Sequence, residues 1–64
     1  MNKVKGYRNM VGMTQKQMAE ALEMPLRSYM DKENGITEFS IEKYVMIRDL
    51  LNSKGLKLTI DDLV

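Results

Sequence analysis

A chain of 64 residues makes one domain near the lower size limit for folding without covalent or metal crosslinks. It contains neither Cys nor His, which excludes disulfides and the usual thiolate and imidazole ligands of zinc, so a small apolar core must hold the fold. The net charge of +1 is low for a protein that binds nucleic acid. No signal peptide or membrane-length apolar run is present, so we expect a cytoplasmic protein.

The first predicted helix covers residues 2–11. Val4 and Val11 recur at helical spacing with either Tyr7 or Arg8 between them, which gives one side that faces the core. The glycine that follows suits the end of a helix, because glycine adopts a left-handed backbone without strain.

Residues 14–35 carry the strongest local signals. Thr14 can accept a hydrogen bond from a free backbone N–H of a first helical turn, and Gln17 can reach back to the Thr14 N–H. Pro25 cannot continue a helix but suits the start of the next one. Gly35 can end that second helix in a left-handed conformation. Two short helices are therefore predicted, over residues 15–22 and 26–33.

A fourth helix is predicted over residues 41–52, with Ser40 as its N-cap. In the link before it, Ile36 and Phe39 are expected to fold onto the core. Apolar residues at helical spacing give the predicted buried set: Met18, Ala19, Leu22, Met24, Tyr29, Ile41, Tyr44, Val45, Ile47 and Leu51.

The end of the chain has two interpretations. Leu56, Leu58 and Ile60 alternate with polar residues, which is typical of a strand. Thr59 followed by Asp62 is also typical of a helix start, with an acid in the first turn. We favour an extended segment over residues 56–58 followed by a short fifth helix.

The pattern in residues 14–35 resembles the DNA-binding helix-turn-helix of the XRE-type family, which includes phage repressors and Cro proteins. The residues that carry the resemblance are Thr14, Gln15, Met18, Ala19, Leu22, Met24, Tyr29, Glu33, Asn34 and Gly35. The resemblance implies an all-α, lambda-repressor-like bundle of about five short helices, with residues 1–64 as a single DNA-binding domain. It also implies that Arg8 pairs with Glu33, whereas the alternative is that Arg8 is a solvated surface charge.

The resemblance places the helix over residues 26–33 in the major groove of DNA. Arg27 is then the candidate for a bidentate contact to guanine, and Leu26 and Met30 could contact thymine methyl groups. Asp31 could accept from a cytosine amino group or simply repel phosphate. Gln15 is the main candidate for a backbone phosphate, through its side chain and the start of its helix. The secondary candidates for backbone contacts are Lys16, Ser28, Lys32 and Asn34.

Two residues depart from the family pattern. Glu23 occupies the turn position that is usually Gly, and a left-handed backbone there would cost on the order of 1 kcal/mol. Lys32 stands where a large apolar residue is usual, so its stem would cover apolar surface while its amine reaches water or phosphate.

The leading hypothesis is a Cro-like or repressor-like transcription regulator of phage or bacterial type, bound as a homodimer to an inverted repeat in double-stranded DNA. Residues 52–64 are expected to supply the dimer surface. The rival hypothesis is a protein-interaction module on the same fold, such as a repressor modulator or antirepressor, and an antitoxin-like regulator is a third. No constellation of catalytic groups is present, so we expect neither an enzyme nor a metal or cofactor.

Overall fold

Five helices and no strand make up the protein, which is described over residues 1–64 by a computed structural model. The helices are α1 (Val4–Met10), α2 (Gln15–Ala21), α3 (Leu26–Glu33), α4 (Ile41–Ser53) and α5 (Ile60–Leu63). The prediction of an all-α bundle of five helices is confirmed. None of these helices has the length and apolar character needed to span a bilayer.

Side-chain caps start the helices where the sequence predicts them. The Gln17 N–H donates to the Thr14 hydroxyl (3.1 Å), and the Thr14 N–H donates to the Gln17 side-chain carbonyl (2.9 Å). The Thr59 N–H donates to the Asp62 carboxylate (2.8 Å), which supports a helix over the last residues. The choice at the chain end is therefore settled in favour of the extended segment followed by α5.

The turn between α2 and α3 places Glu23 in the left-handed region, with φ of 56°. Glu23 therefore has the left-handed backbone that was considered for it in place of the usual glycine. The Lys43 ammonium donates to the Leu22 carbonyl at 2.7 Å, so α4 provides a cation for the end of α2. Helix α4 thus contacts the turn between α2 and α3.

The core is formed by side chains from all five helices and by Phe39 in the link before α4. The Phe39 ring lies between the rings of Tyr29 and Tyr44, with centroid distances of 5.8 and 5.3 Å. The ten buried apolar residues are Val4, Met18, Ala19, Leu22, Tyr29, Phe39, Tyr44, Ile47, Leu51 and Leu63. Burial of Leu63 anchors the C-terminal helix, which the sequence did not place in the core.

Two predicted core residues are exposed. Ile41 and Ile36 are 70% and 71% exposed, and Val45 and Met24 are only partly buried. The buried side of α4 is centred between Tyr44 and Ile47, and at about 100° per residue Ile41 lies about 90° from that centre. Ile36 follows a glycine with φ of 81°, at which the chain turns outward from α3. The predictions for Ile36 and Ile41 were therefore wrong.

Residues 2 and 3 were predicted to begin the first helix, but α1 begins at Val4. Asn2 and Lys3 instead form hydrogen bonds to other parts of the chain. The Asn2 side chain accepts from the Val4 N–H (3.1 Å) and donates to the Lys32 carbonyl at the end of α3 (2.9 Å). The Lys3 N–H donates to the Leu63 carbonyl (2.8 Å). The N-terminal segment thereby ties α1 to the ends of α3 and α5.

The Asn2 contacts predict the effect of a near-isosteric substitution. Asn2→Asp keeps the acceptor for Val4 but loses the donor to Lys32, so the free energy of unfolding should fall by about 1 kcal/mol. Urea unfolding followed by circular dichroism measures the change. Asn9→Asp is the matched control, because Asn9 is exposed, and its effect should stay within about 0.5 kcal/mol. Equal effects of the two substitutions would remove any structural role for the Asn2–Lys32 bond.

Candidate nucleic-acid interface

The outward face of α3 is defined by the residues that the helix buries. Tyr29 and Glu33 lie one turn apart and are buried, so the opposite side of α3 faces solvent. Arg27 lies on that side with 85% of its side chain exposed, and its Nε is 3.5 Å from an Asp31 carboxylate oxygen. Leu26 is 41% exposed, whereas Met30 and Asp31 are partly buried. The candidate reading face therefore carries a reachable guanidinium with an acid beside it.

The secondary candidates for phosphate contacts on α3 differ in exposure and in the hydrogen bonds that they already form. Ser28 and Asn34 are exposed. The Lys32 ammonium instead donates to the Glu38 carbonyl at 3.1 Å, and the Lys32 carbonyl accepts from Asn2. The Lys32 amine is thus turned toward the link before α4.

Glu33 is the centre of a polar group of four residues, which we name the Glu33 cluster: the buried Arg8, Tyr29 and Glu33, and the partly exposed Gln15. Arg8 Nε donates to Glu33 Oε2 at 2.8 Å, and Arg8 Nη2 donates to Glu33 Oε1 at 3.1 Å. The Tyr29 hydroxyl donates to Oε2 as well, and Gln15 Nε2 donates to Oε1 at 3.1 Å. The predicted ion pair is thus present and bidentate, and the interpretation of Arg8 as a solvated charge is wrong.

The remaining polar groups around the cluster also have partners. Arg8 Nη1 donates to the Met13 carbonyl at 2.7 Å, beside the start of α2. No buried side-chain nitrogen or oxygen in the protein lacks a hydrogen-bond partner. Full satisfaction matters here because an unpaired charge inside a protein is strongly destabilising.

Opposing effects set the charge of Glu33. Burial disfavours the carboxylate, but the donors from Arg8, Tyr29 and Gln15 outweigh it and hold the pKa of Glu33 below its usual value. The hydrogen bond to Glu33 raises the pKa of Arg8, and burial together with the adjacent carboxylate raises the pKa of Tyr29. At neutral pH the cluster is a charged pair with a neutral phenol.

An open cleft of about 540 Å³ lies between α1 and the start of α2. The residues that line it include Lys5, Arg8, Asn9, Thr14 and Gln15. Sequence reasoning identified Gln15 as a surface residue for phosphate but missed its bond to Glu33, and it did not single out Lys5 or Asn9. Lys16 is exposed next to Gln15 and forms no side-chain hydrogen bond. The cleft and Lys16 together present cationic and amide donors on one side of the molecule.

Comparison of the chain with models of known protein families, with curated proteins and with solved structures gives no match. The resemblance to the XRE-type helix-turn-helix therefore rests on residues of this chain. It stays a prediction, carried by Thr14, Gln15, Met18, Ala19, Leu22, Met24, Tyr29, Glu33, Asn34 and Gly35.

The lowered pKa of Glu33 predicts a specific loss of stability in acid. A depressed folded-state pKa contributes stability that is present above the unfolded-state value of about 4.3 and is lost as the pH falls through the folded-state pKa. Glu33→Gln lacks this titration, so wild type should be the more stable protein at pH 7, and its advantage should shrink below about pH 4. Thermal melts from pH 7 to pH 2 give the melting temperatures of both proteins. Their difference at each pH cancels the titration of the other acids, which the two proteins share. A gap in melting temperature that stays constant with pH would contradict the charged state assigned to Glu33.

Proposed function

We propose that this protein is a sequence-specific double-stranded DNA-binding regulator of transcription, Cro-like or repressor-like, that acts in the cytoplasm. The observation that carries the proposal is the exposed side of α3, where Arg27 projects while Tyr29 and Glu33 fix the opposite side. A helix held in this way presents a constant set of side chains to a groove. A helix with its side chains is about 10–12 Å across, which fits the major groove of about 12 Å, and the eight residues of α3 make about 12 Å of length.

Base reading in this proposal depends mainly on Arg27. Its guanidinium can donate two parallel hydrogen bonds to O6 and N7 of guanine, a geometry that no other base pair offers. Leu26 and Met30 add apolar contacts to thymine methyl groups. Asp31 accepts from a cytosine amino group where one is present and repels phosphate elsewhere.

Backbone contacts in this proposal come from the start of α2 and from residues in and just after α3. Gln15 and Lys16 bind phosphate on one side of the groove. Ser28, Lys32 and Asn34 are placed for the other side, although Lys32 must release the Glu38 carbonyl to reach DNA. Such contacts fix position and register without reading sequence.

A homodimer on an inverted repeat is part of the proposal. One α3 covers a single half-site, and two-fold symmetry places the second about 34 Å away, one helical turn along the DNA. Residues 52–64 are proposed as the partner surface. Leu56, Leu58 and Ile60 are only partly buried there, and Val64 is 51% exposed, which supports this choice.

A second candidate function is docking to another protein, as a repressor modulator or antirepressor. It is favoured by apolar side chains that the fold leaves in solvent: Leu26 at 41%, Ile41 at 70% and Ile36 at 71% exposure. The net charge of +1 and the acid beside Arg27 point the same way. An antitoxin-like regulator would combine the two surfaces, with DNA on α3 and a partner elsewhere.

Substitutions on the two sides of the proposed interface should have different effects. Arg27→Ala should lose about 1–3 kcal/mol of specific binding and relax the preference at one base pair, because it removes a base-edge contact. Lys16→Ala should weaken binding to all sequences alike and lower the salt slope by about one unit, since a phosphate carries the same charge everywhere. Salt titrations on a duplex selected from a random pool and on a scrambled duplex measure both effects.

Lys3→Ala is the charge-matched control, because Lys3 is exposed and lies outside both the proposed DNA contacts and the proposed dimer surface. This substitution should leave the preference for the selected duplex and the salt slope of binding nearly unchanged. Wild type that shows no preference between the two duplexes at any salt would refute DNA reading and would make protein docking the preferred function.

A further inference from the structure

Gln15 and Glu33 are 18 residues apart in sequence, yet a hydrogen bond of 3.1 Å joins the start of α2 to the end of α3. Gln15 is partly exposed and lines the open cleft beside α1, whereas the Glu33 side chain is fully buried. One of these two side chains is therefore accessible to a ligand, and the other is not. The bond between them connects the buried cluster to the surface.

The bond fixes the direction of the whole Gln15 amide group. A side-chain amide is planar and carries two N–H donors. Because one N–H donates to Glu33 Oε1, rotation about the last torsion of Gln15 is restricted and the second N–H is held at a set angle to the first. A free glutamine on a surface would instead sample several rotamers, and ordering it on binding would reduce affinity.

Three donor atoms besides Gln15 hold the Glu33 carboxylate. Two guanidinium nitrogens of Arg8 and the Tyr29 hydroxyl donate to its carboxylate oxygens, so the acceptor for Gln15 cannot turn away. Arg8 belongs to α1 and also donates to the Met13 carbonyl just before α2. The carboxylate is thus at a constant place relative to both α2 and α3.

We propose that Glu33 is a positioning residue for phosphate binding, which orients the Gln15 amide so that its second N–H meets a DNA backbone phosphate. This inference rests on the proposed DNA-binding function. It adds that one buried carboxylate couples the phosphate contact at α2 to the placement of the base-reading helix α3. Glu33 touches no nucleotide in this arrangement and acts only through Gln15.

A double-substitution cycle in DNA affinity separates positioning from general structural support. In wild type, Gln15→Ala should weaken binding to a selected duplex about three- to tenfold, the factor of one ordinary hydrogen bond. In a Glu33→Ala background the same substitution should weaken binding less than twofold, because alanine offers no acceptor and the Gln15 amide is already disordered. A factor that is the same in both backgrounds would overturn the proposal.

Lys16→Ala is the matched control within the same cycle. Lys16 follows Gln15 on α2 but has no bond to the Glu33 cluster, so its substitution should weaken binding by the same factor in both backgrounds. If the Lys16 effect also vanished in the Glu33→Ala background, the whole interface would have been lost rather than the Gln15 orientation, and the positioning role would fail.

A measurement on the free wild-type protein keeps the proposal testable if Glu33→Ala does not fold. The chain has two glutamines, and Gln17 uses its carbonyl oxygen in the Thr14 cap, which leaves its amide protons free. One Gln15 amide proton should therefore exchange with solvent on the order of tenfold more slowly than those of Gln17, as expected for a bond to a carboxylate. Its nitrogen resonance should also move as the selected duplex is added.

The two readouts distinguish failure of this inference from failure of the proposed function. Equal exchange at Gln15 and Gln17 would overturn the positioning role even if DNA binding is strong. Slow exchange at Gln15, with no preference among duplexes, would leave the bond in place but refute DNA reading and the positioning role that depends on it.

Discussion

The buried carboxylate of Glu33 is the interaction on which the rest of the structure depends. A charge inside a small core is tolerated only when donors replace its lost water, and Glu33 accepts from Arg8, Gln15 and Tyr29. These residues come from three helices, so the same bonds that stabilise the charge also set the positions of α1, α2 and α3. Removing one partner of such a pair costs about 3–5 kcal/mol. A domain of this length has roughly 3–10 kcal/mol in total.

Helix positions from Thr14 to Gly35 could be predicted because their signals are local. The capping pair of Thr14 and Gln17 spans one turn, Pro25 fixes its own φ, and Gly35 alone supplies the left-handed stop. None of these choices needs information from a distant part of the chain. The fifth helix was harder, since Leu56 to Ile60 alternate like a strand. In the structure the Thr59 N–H donates to Asp62, and the Val64 N–H donates to the Ile60 carbonyl as in a helix.

Contacts between distant residues explain what the sequence did not reveal. Asn2 bonds to Lys32 across 30 positions, and Gln15 bonds to Glu33 across 18 positions, so no periodicity connects them. The ion pair of Arg8 and Glu33 was predicted only through the family resemblance. Ile41 was misplaced because an apolar residue at helical spacing was assumed to point inward, whereas the face of α4 is set by what packs against it.

The charge distribution bears on how such a protein could select a DNA site. In the proposed function, Lys16 and Lys32 are the only cations assigned to phosphate, so counterion release is small and binding to random DNA should be weak. Arg27 is exposed and only 3.5 Å from Asp31, and exposed pairs of this kind are worth about 0–1 kcal/mol. In the proposed function, Arg27 would therefore leave Asp31 for guanine at a cost of no more than about 1 kcal/mol. In the proposed function, weak attraction to any DNA and the acid beside Arg27 on the exposed side of α3 would both favour discrimination between DNA sequences over affinity.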